Sequence, residues 1–256
     1  MSAREMYRKV NPQTMGRDRF EAFCFSLGLK VARPRNFRKT TDSTGVERFP
    51  NLIEGLEVTG VNQVLVSDIT YYEMNGRFKY LTFIMDLYNR EIVGFSKSSN
   101  LKTTSTTIPA FNMAKKRIGA ENLKGTIIHS DGGGQYYAKS FIQITSRLGM
   151  KNSMAKEVYE NSHSERLNGT IKNDYLIPYN PQDDAALSRE LVRAVLMYNT
   201  DKPHSSLQGK TPIEFRKDNS GNIMTVKKIN KTIEIENNSP SYFPTSTVHH
   251  HQHEYV

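Results

Sequence analysis

The chain has 256 residues, enough for one sizeable core and a smaller appendage. Lys and Arg number 35 against 26 Asp and Glu, a formal charge of +9 with an isoelectric point near 9.5; that balance favours an anionic polymer as partner and supports DNA or RNA binding. No apolar run approaches the ~20 residues of a membrane span, residues 1–8 lead into no signal-peptide core, and the single cysteine, Cys24, excludes an internal disulfide framework and fits a reducing cytosol.

In chain order, residues 17–27 read as a short amphipathic helix closed by Gly28, with Phe20, Phe23, Cys24 and Leu27 at i, i+3, i+4, i+7 and so directed inward. Residues 30–39, KVARPRNFRK, carry five basic residues, a proline and no acid, the composition of a solvated basic arm. Residues 40–60 are polar with little periodicity and are expected to wrap over the surface, with a domain boundary near Gly60. Strands follow at 62–69, 71–74, 77–86 and 91–98; Asn75-Gly76 between the second and third is a hairpin signal, because both residues tolerate positive φ. A helix is predicted over 103–118 (Ile108, Phe111, Ala114 and Ile118 on one face), a strand over 125–129, a helix over 137–148 and a strand over 151–154. A polar helix over 162–175 and an amphipathic one over 184–198, with Leu187, Leu191, Ala194, Val195 and Tyr198 inward, close the pattern. Three antiparallel strands, a helix, a strand, a helix, a strand and closing helices predict an α/β fold: a ribonuclease H-like mixed five-stranded sheet flanked by helices, with a small N-terminal helical and basic segment. The division read from the sequence is 1–60, 61–218 and 219–256, the last a C-terminal extension with a small hairpin at 224–236 and a polar, His-containing tail given no function.

Three acids carry the chemistry. Asp68 in VLVSDITYY and Asp131 in IIHSDGGGQY each end an apolar run that reads as a buried strand, and Glu165 lies in the polar helix ENSHSERLNGTIK. A carboxylate placed where a hydrophobic strand ends needs a partner or a metal. Three brought together by folding form an oxygen-rich cage suited to Mg²⁺ or Mn²⁺, the signature of a two-metal nuclease or polynucleotidyl transferase. With the first strand central and the fourth beside it, Asp68 and Asp131 are expected at adjacent strand ends, where their repulsion calls for divalent cations. Asn161, Glu165, Asn168 and Lys172 fall at i−4, i, i+3 and i+7 of one helix face, a poor core surface, and read as a grip on metal and phosphate. His129 points to the face of Asp131, either to hydrogen-bond it or to touch phosphate. Arg33, Arg35, Arg38 and Lys39 of the arm are read as further DNA contacts. Gly132-Gly133-Gly134 permits close backbone approach to a ligand.

Four ordered blocks, NQVLVSDITYY, HSDGGGQY, SMAKEVYENSHSERLNGTIKNDYL and YNTDKPHSSLQGKTPIEF, resemble the insertion-sequence transposases with a retroviral integrase-like core and an Asp-Asp-Glu triad, over about residues 16–217. The resemblance implies that Asp68, Asp131 and Glu165 are the metal-binding catalytic triad of a 61–218 catalytic core, with two Mg²⁺ or Mn²⁺ ions per site. It further implies that Lys172, seven residues after the glutamate, contacts DNA near the reacting end, and that cleavage at transposon ends is followed by joining of the freed 3′-hydroxyl to a target strand. Implied partners are transposon-end and target DNA, further copies of the chain assembled on DNA, and an upstream-frame helix-turn-helix protein or fusion, since residues 1–60 are short for that module and suit a second-frame product. The implied location is the bacterial cytoplasm, on the nucleoid. Leu65 stands where the family usually has Trp, Gly132 where Arg is frequent, and the step from Asp131 to Glu165 is a couple of residues short. The competing reading is a catalytically silent DNA-binding regulator or inhibitor derived from such an element.

Overall fold

The Asn75-Gly76 pair makes the tight turn its residue types predict, with φ of 51° and 70°, and closes a hairpin between β1 (Val64–Met74) and β2 (Arg77–Asp86). The protein is represented by a computed structural model that describes residues 2–29, 49–155 and 161–219. The basic arm at 30–39, the hairpin expected at 224–236 and the His-containing tail lie outside the described residues.

A third strand, β3 (Ile92–Ser98), is followed by α3 (Thr107–Ile118), β4 (Ile127–Ser130), α4 (Gly134–Tyr137), α5 (Lys139–Arg147) and β5 (Lys151–Met154). The five strands form one mixed sheet in the order β3-β2-β1-β4-β5: β1 pairs antiparallel with β2 and parallel with β4, β2 antiparallel with β3, and β4 parallel with β5. Then come α6 (Ser162–Thr170), a π-helical turn (Ile171–Leu176), α7 (Ile177–Tyr179), α8 (Asp184–Thr200) and α9 (Pro212–Asn219). The sheet carries an apolar layer on each side, as the two-residue alternation of strands requires. Val64, Val66, Phe83 and Met85 pack with Leu167, Ile171, Leu176, Leu187, Leu191 and Ala194 on one face, while Leu65, Ile84, Val93 and Ile128 pack with Ala110, Phe111, Ala114 and Phe141 on the other. Gly94 sets the approach of α3 to β3, because a Cβ there would sit 2.2 Å from the Ala110 carbonyl oxygen. The inward stripe predicted for α8 is buried at all five positions, and Asp183 caps that helix by accepting from Ala186 N–H at 2.7 Å.

Three expectations change. Residues 62–69 and 71–74 are one strand, because pairing with β2 continues from Leu65 to Met74. The 162–175 helix is α-helical only to Thr170, and the π turn that follows lets Ile171, Tyr175 and Leu176 all reach the core. In α2 (Arg17–Ser26) Cys24 is buried as expected, but Phe23 and the adjacent Leu27 are half exposed or more. The reason is that α2 packs on α1 (Ala3–Val10), where Tyr7 and Phe20 stack edge-on at 5.6 Å, and one neighbour covers only one edge of a helix. The first helix is itself tied to the sheet domain: the buried Lys202 ammonium bridges Glu5 at 2.8 Å and Asp174 of the π turn at 3.0 Å.

Candidate active site

The site is built on the parallel pairing of β1 and β4, which runs from Val64↔Ile127 to Ser67↔Ser130 and stops there. Asp68 and Asp131 are the next residues on the two strands, so they emerge side by side on the face that carries Val64 and Val66. The expectation that Asp68 ends its strand is corrected: it lies within β1, opposite Phe83 of β2, and what ends beside it is the partner strand. On that open flank Asp68 Oδ1 accepts its neighbour's amide (Ile69 N–H, 2.8 Å), and Asp131 Oδ1 accepts Gly133 N–H at 3.1 Å. A Cβ at Gly133 would lie 3.0 Å from that same Asp131 oxygen, so the glycine run first serves the close approach of backbone to Asp131.

Burial, then the charge of Asp131, then that of Glu165 push the Asp68 carboxyl up to about 8, against the opposing pull of Ile69 N–H and Lys172. Burial raises Asp131 too, with Gly133 N–H opposing. Beneath the pair, Tyr136 Oη lies 2.8 Å from Ser67 Oγ, whose own proton goes to the Phe83 carbonyl at 2.9 Å. That buried phenol is raised well above its ordinary value by burial and by both aspartates, so it stays neutral.

The helix α6 lies over this edge with its asparagines turned to β1. Asn168 Nδ2 donates to Asp68 Oδ2 at 2.7 Å, and Asn161 Nδ2 reaches the Ser67 carbonyl at 3.5 Å. One turn on, Lys172 Nζ donates to Thr70 Oγ1 at 2.9 Å and sits 5.2 Å from the centre of the Tyr71 ring. Burial lowers the Lys172 ammonium and the Asp68 charge raises it. Glu165 is exposed on the same helix, within electrostatic reach of Asp68. Among the described residues no three His, Cys, Asp or Glu side chains approach closely enough to hold a metal, so the structure gathers Asp68 and Asp131 and leaves Glu165 at longer range.

Three polar residues read as candidate phosphate contacts, His129 with a bond to Asp131 as its alternative, face the protein interior. Asn161, Asn168 and His129 are 3%, 5% and 0% exposed, and their polar groups are turned to protein. His129 does share the face of Asp131, but its Nδ1 lies 2.9 Å from Ser153 Oγ, its register partner on β5. The helical spacing was sound; only the packing of α6 on β1 reveals which flank is covered. The orienting role of Asn168 had a signal in its i+3 relation to Glu165, whereas Thr70, Ser67 and Tyr136 gave none beyond proximity to the acids in sequence.

The integrase core domain family matches residues 58–158, and a second profile of the same description matches residues 147–212. The insertion element IS600 uncharacterized 31 kDa protein of Shigella sonnei is 34% identical over 209 residues, covering 79% of this chain and 75% of that protein. The putative transposase InsK for insertion sequence element IS150 of Escherichia coli K12 is 28% identical over 196 residues, 73% of this chain and 65% of its own length. A chain of the simian T-cell lymphotropic virus intasome superposes with a TM-score of 0.54 at 14% identity, over 87% of this chain and 76% of that one, a likeness of fold. No helix among the described residues is long and apolar enough to cross a membrane.

Proposed function

Since this chain belongs to the insertion-element transposases built on an integrase core domain, we propose that Asp68, Asp131 and Glu165 are its catalytic carboxylates and that it cleaves and joins DNA strands with a divalent metal. The observation that carries this reading is the register of β1 and β4, which sets side by side two carboxyls that burial raises. Such a pair is self-repelling, and its hard oxygen donors fit Mg²⁺ or Mn²⁺. Asp68 and Asp131 would hold the metal, with Glu165 drawn in from the exposed flank of α6. Bound there, the metal supplies activation of water or a 3′-hydroxyl and stabilises the leaving oxygen.

The chain's own groups prepare that site. Ile69 N–H and the Asn168 amide engage one lone pair on each Asp68 oxygen, fixing the plane of the carboxylate. Gly133 N–H does the same for Asp131. Lys172 supplies positive charge beside Asp68 and contacts the DNA strand at the reacting end. The substrate is transposon-end and target DNA, engaged by several copies of the chain together with an upstream-frame helix-turn-helix protein or fusion.

The test is cleavage and joining of a labelled duplex carrying the element's own terminal repeat, with Mg²⁺ and the upstream-frame protein present. Asp131→Asn and Glu165→Gln are expected to abolish both steps while duplex binding in Ca²⁺ persists. Wild-type protein as inert as either variant on authentic ends would replace this reading with that of a DNA-binding regulator.

A further inference from the structure

With three of the residues read as DNA contacts turned inward, the positive groups of the described surface that lack acidic partners become informative. Arg90 closes the turn between β2 and β3, its N–H given to the Asp86 carbonyl at 2.9 Å, and holds a left-handed φ of 62° unusual for a side-chain-bearing residue. Its Nη1 is buried and makes no hydrogen bond. Arg90 lies within electrostatic reach of Arg166, and both lie within reach of His163. His163 and Arg166 are i and i+3 on α6, so they share one side of that helix.

Among the described residues neither Arg90, His163 nor Arg166 forms an ion pair or a side-chain hydrogen bond, whereas Arg117 and Arg216 both pair with the buried Glu91, Arg193 with Glu190, and Lys202 with Glu5 and Asp174. Among the described residues the carboxyl in electrostatic reach of Arg90 is Asp86, and its oxygens are engaged by the backbone N–H groups of Asn62 at 2.6 Å and Tyr88 at 2.8 Å. Two guanidiniums that converge while partly desolvated repel one another until an anion arrives. Guanidiniums bind a phosphate through paired N–H donors, and an imidazole adds a further donor.

Location selects the anion. At 100° per residue, Arg166 lies near the solvent-facing crest of α6, with Glu165 on one shoulder and His163 on the other. The two shoulders are separated by about the width of a helix, ~10–12 Å, or roughly three base-pair rises of ~3.4 Å. Arg166 is exposed, so the site is open along the surface as a passing polymer requires. We propose that Arg90, His163 and Arg166 form a subsite for a phosphate of duplex DNA on the shoulder of α6 away from Glu165, holding the strand that the active site cuts. This rests on the DNA reading above and adds a contact that steers binding, separate from the chemistry.

The experiment uses the full chain and a fluorescent duplex of arbitrary sequence, with Ca²⁺ as the metal and affinity followed against salt. Arg166→Ala is the principal variant, since its exposed side chain makes no contact that the fold needs. Its log–log salt slope is expected to fall by about 0.9, the value of one phosphate contact, with affinity reduced several-fold. Arg90→Gln should produce a similar loss, and its thermal unfolding is followed in parallel to separate misfolding from lost binding. On a cleavable end duplex, Arg166→Ala should raise KM and leave kcat near wild type, the reverse of Glu165→Gln. An unchanged salt slope in Arg166→Ala overturns the subsite, as does stabilisation by inorganic phosphate that Arg166→Ala abolishes without any change in duplex binding. If wild type itself shows no salt-dependent duplex binding, the DNA reading fails and the subsite with it.

Discussion

Asn168 on α6 donates its amide to Asp68 on β1 at 2.7 Å, joining residues a hundred positions apart. The bond is buried, and charge-assisted once Asp68 ionises, and the other end of the amide, Oδ1, has no hydrogen-bond partner among the described residues. Asn168 can thus serve either state of its neighbour: Nδ2 donates to an ionised carboxylate, and Oδ1 would accept from a protonated acid or an amide after a flip.

Metal should stabilise the fold through the aspartate pair. Burial raises both carboxyls, and the Asp131 charge helps to bring Asp68 to about 8, so part of the native state's stability is lost when they ionise without a counter-ion. Mg²⁺ or Mn²⁺ at about a hundred times its Kd is expected to add ~2.7 kcal/mol, read as a rise in Tm, and to bind more tightly as pH rises through about 8, where Asp68 gives up its proton. Asp68→Asn should lose that rise yet melt no earlier than metal-free wild type, because a repulsion is removed and the Asn168 amide can flip to meet the new one. Equal metal-induced shifts in the two proteins would count against Asp68 as a ligand.

Asn168→Ala separates an orienting role from a DNA contact. Without its amide the Asp68 carboxylate is free to turn, and metal affinity is expected to fall ~10–100-fold, measured by titrating Mn²⁺ in the absence of DNA. Duplex affinity in Ca²⁺ should stay near wild type, since the side chain is buried. The opposite pattern, weaker DNA binding with unaltered Mn²⁺ affinity, would restore Asn168 to the phosphate contacts.

His204 should shape the acid limb of stability. Burial and then the nearby Lys202 charge depress its imidazole from 6.5 to about 4, so its contribution is fully present above 6.5 and lost as pH falls through about 4. Asp86 acts in the opposite sense: burial raises it to about 6, so its contribution is present below its unfolded value of 3.8 and lost as pH rises through about 6. His204→Phe keeps an aromatic ring edge-on to Tyr198, at 4.8 Å in the native protein, and gives up no hydrogen bond at the buried Nε2. Relative to wild type the variant should gain stability steadily as pH falls below 6.5, on the order of 2–3 kcal/mol near pH 4. Parallel Tm–pH curves for the two proteins would rule out this titration as a determinant.

The amino-acid sequence alone determined what depends on near neighbours. Strand alternation, the Asn75-Gly76 turn, the inward stripe of α8 and the order of elements are local patterns, and the fold follows from them. Asp68 and Asp131 were legible because each breaks an apolar strand where an unpaired charge has no local reason to be. Tertiary structure decided what depends on the facing surface. Helical spacing put Asn161, Glu165, Asn168 and Lys172 on one flank, but only the docking of α6 on β1 turned the two amides to protein and left Glu165 exposed. Pairing with β2 carried β1 past Asp68, which no property of residues 62–69 required. Likewise Arg90 gathers with His163 and Arg166 through an encounter of a strand turn with a helix more than seventy residues later. Burial and the convergence of charge are set by which surface arrives opposite, and that is fixed only when the chain has folded.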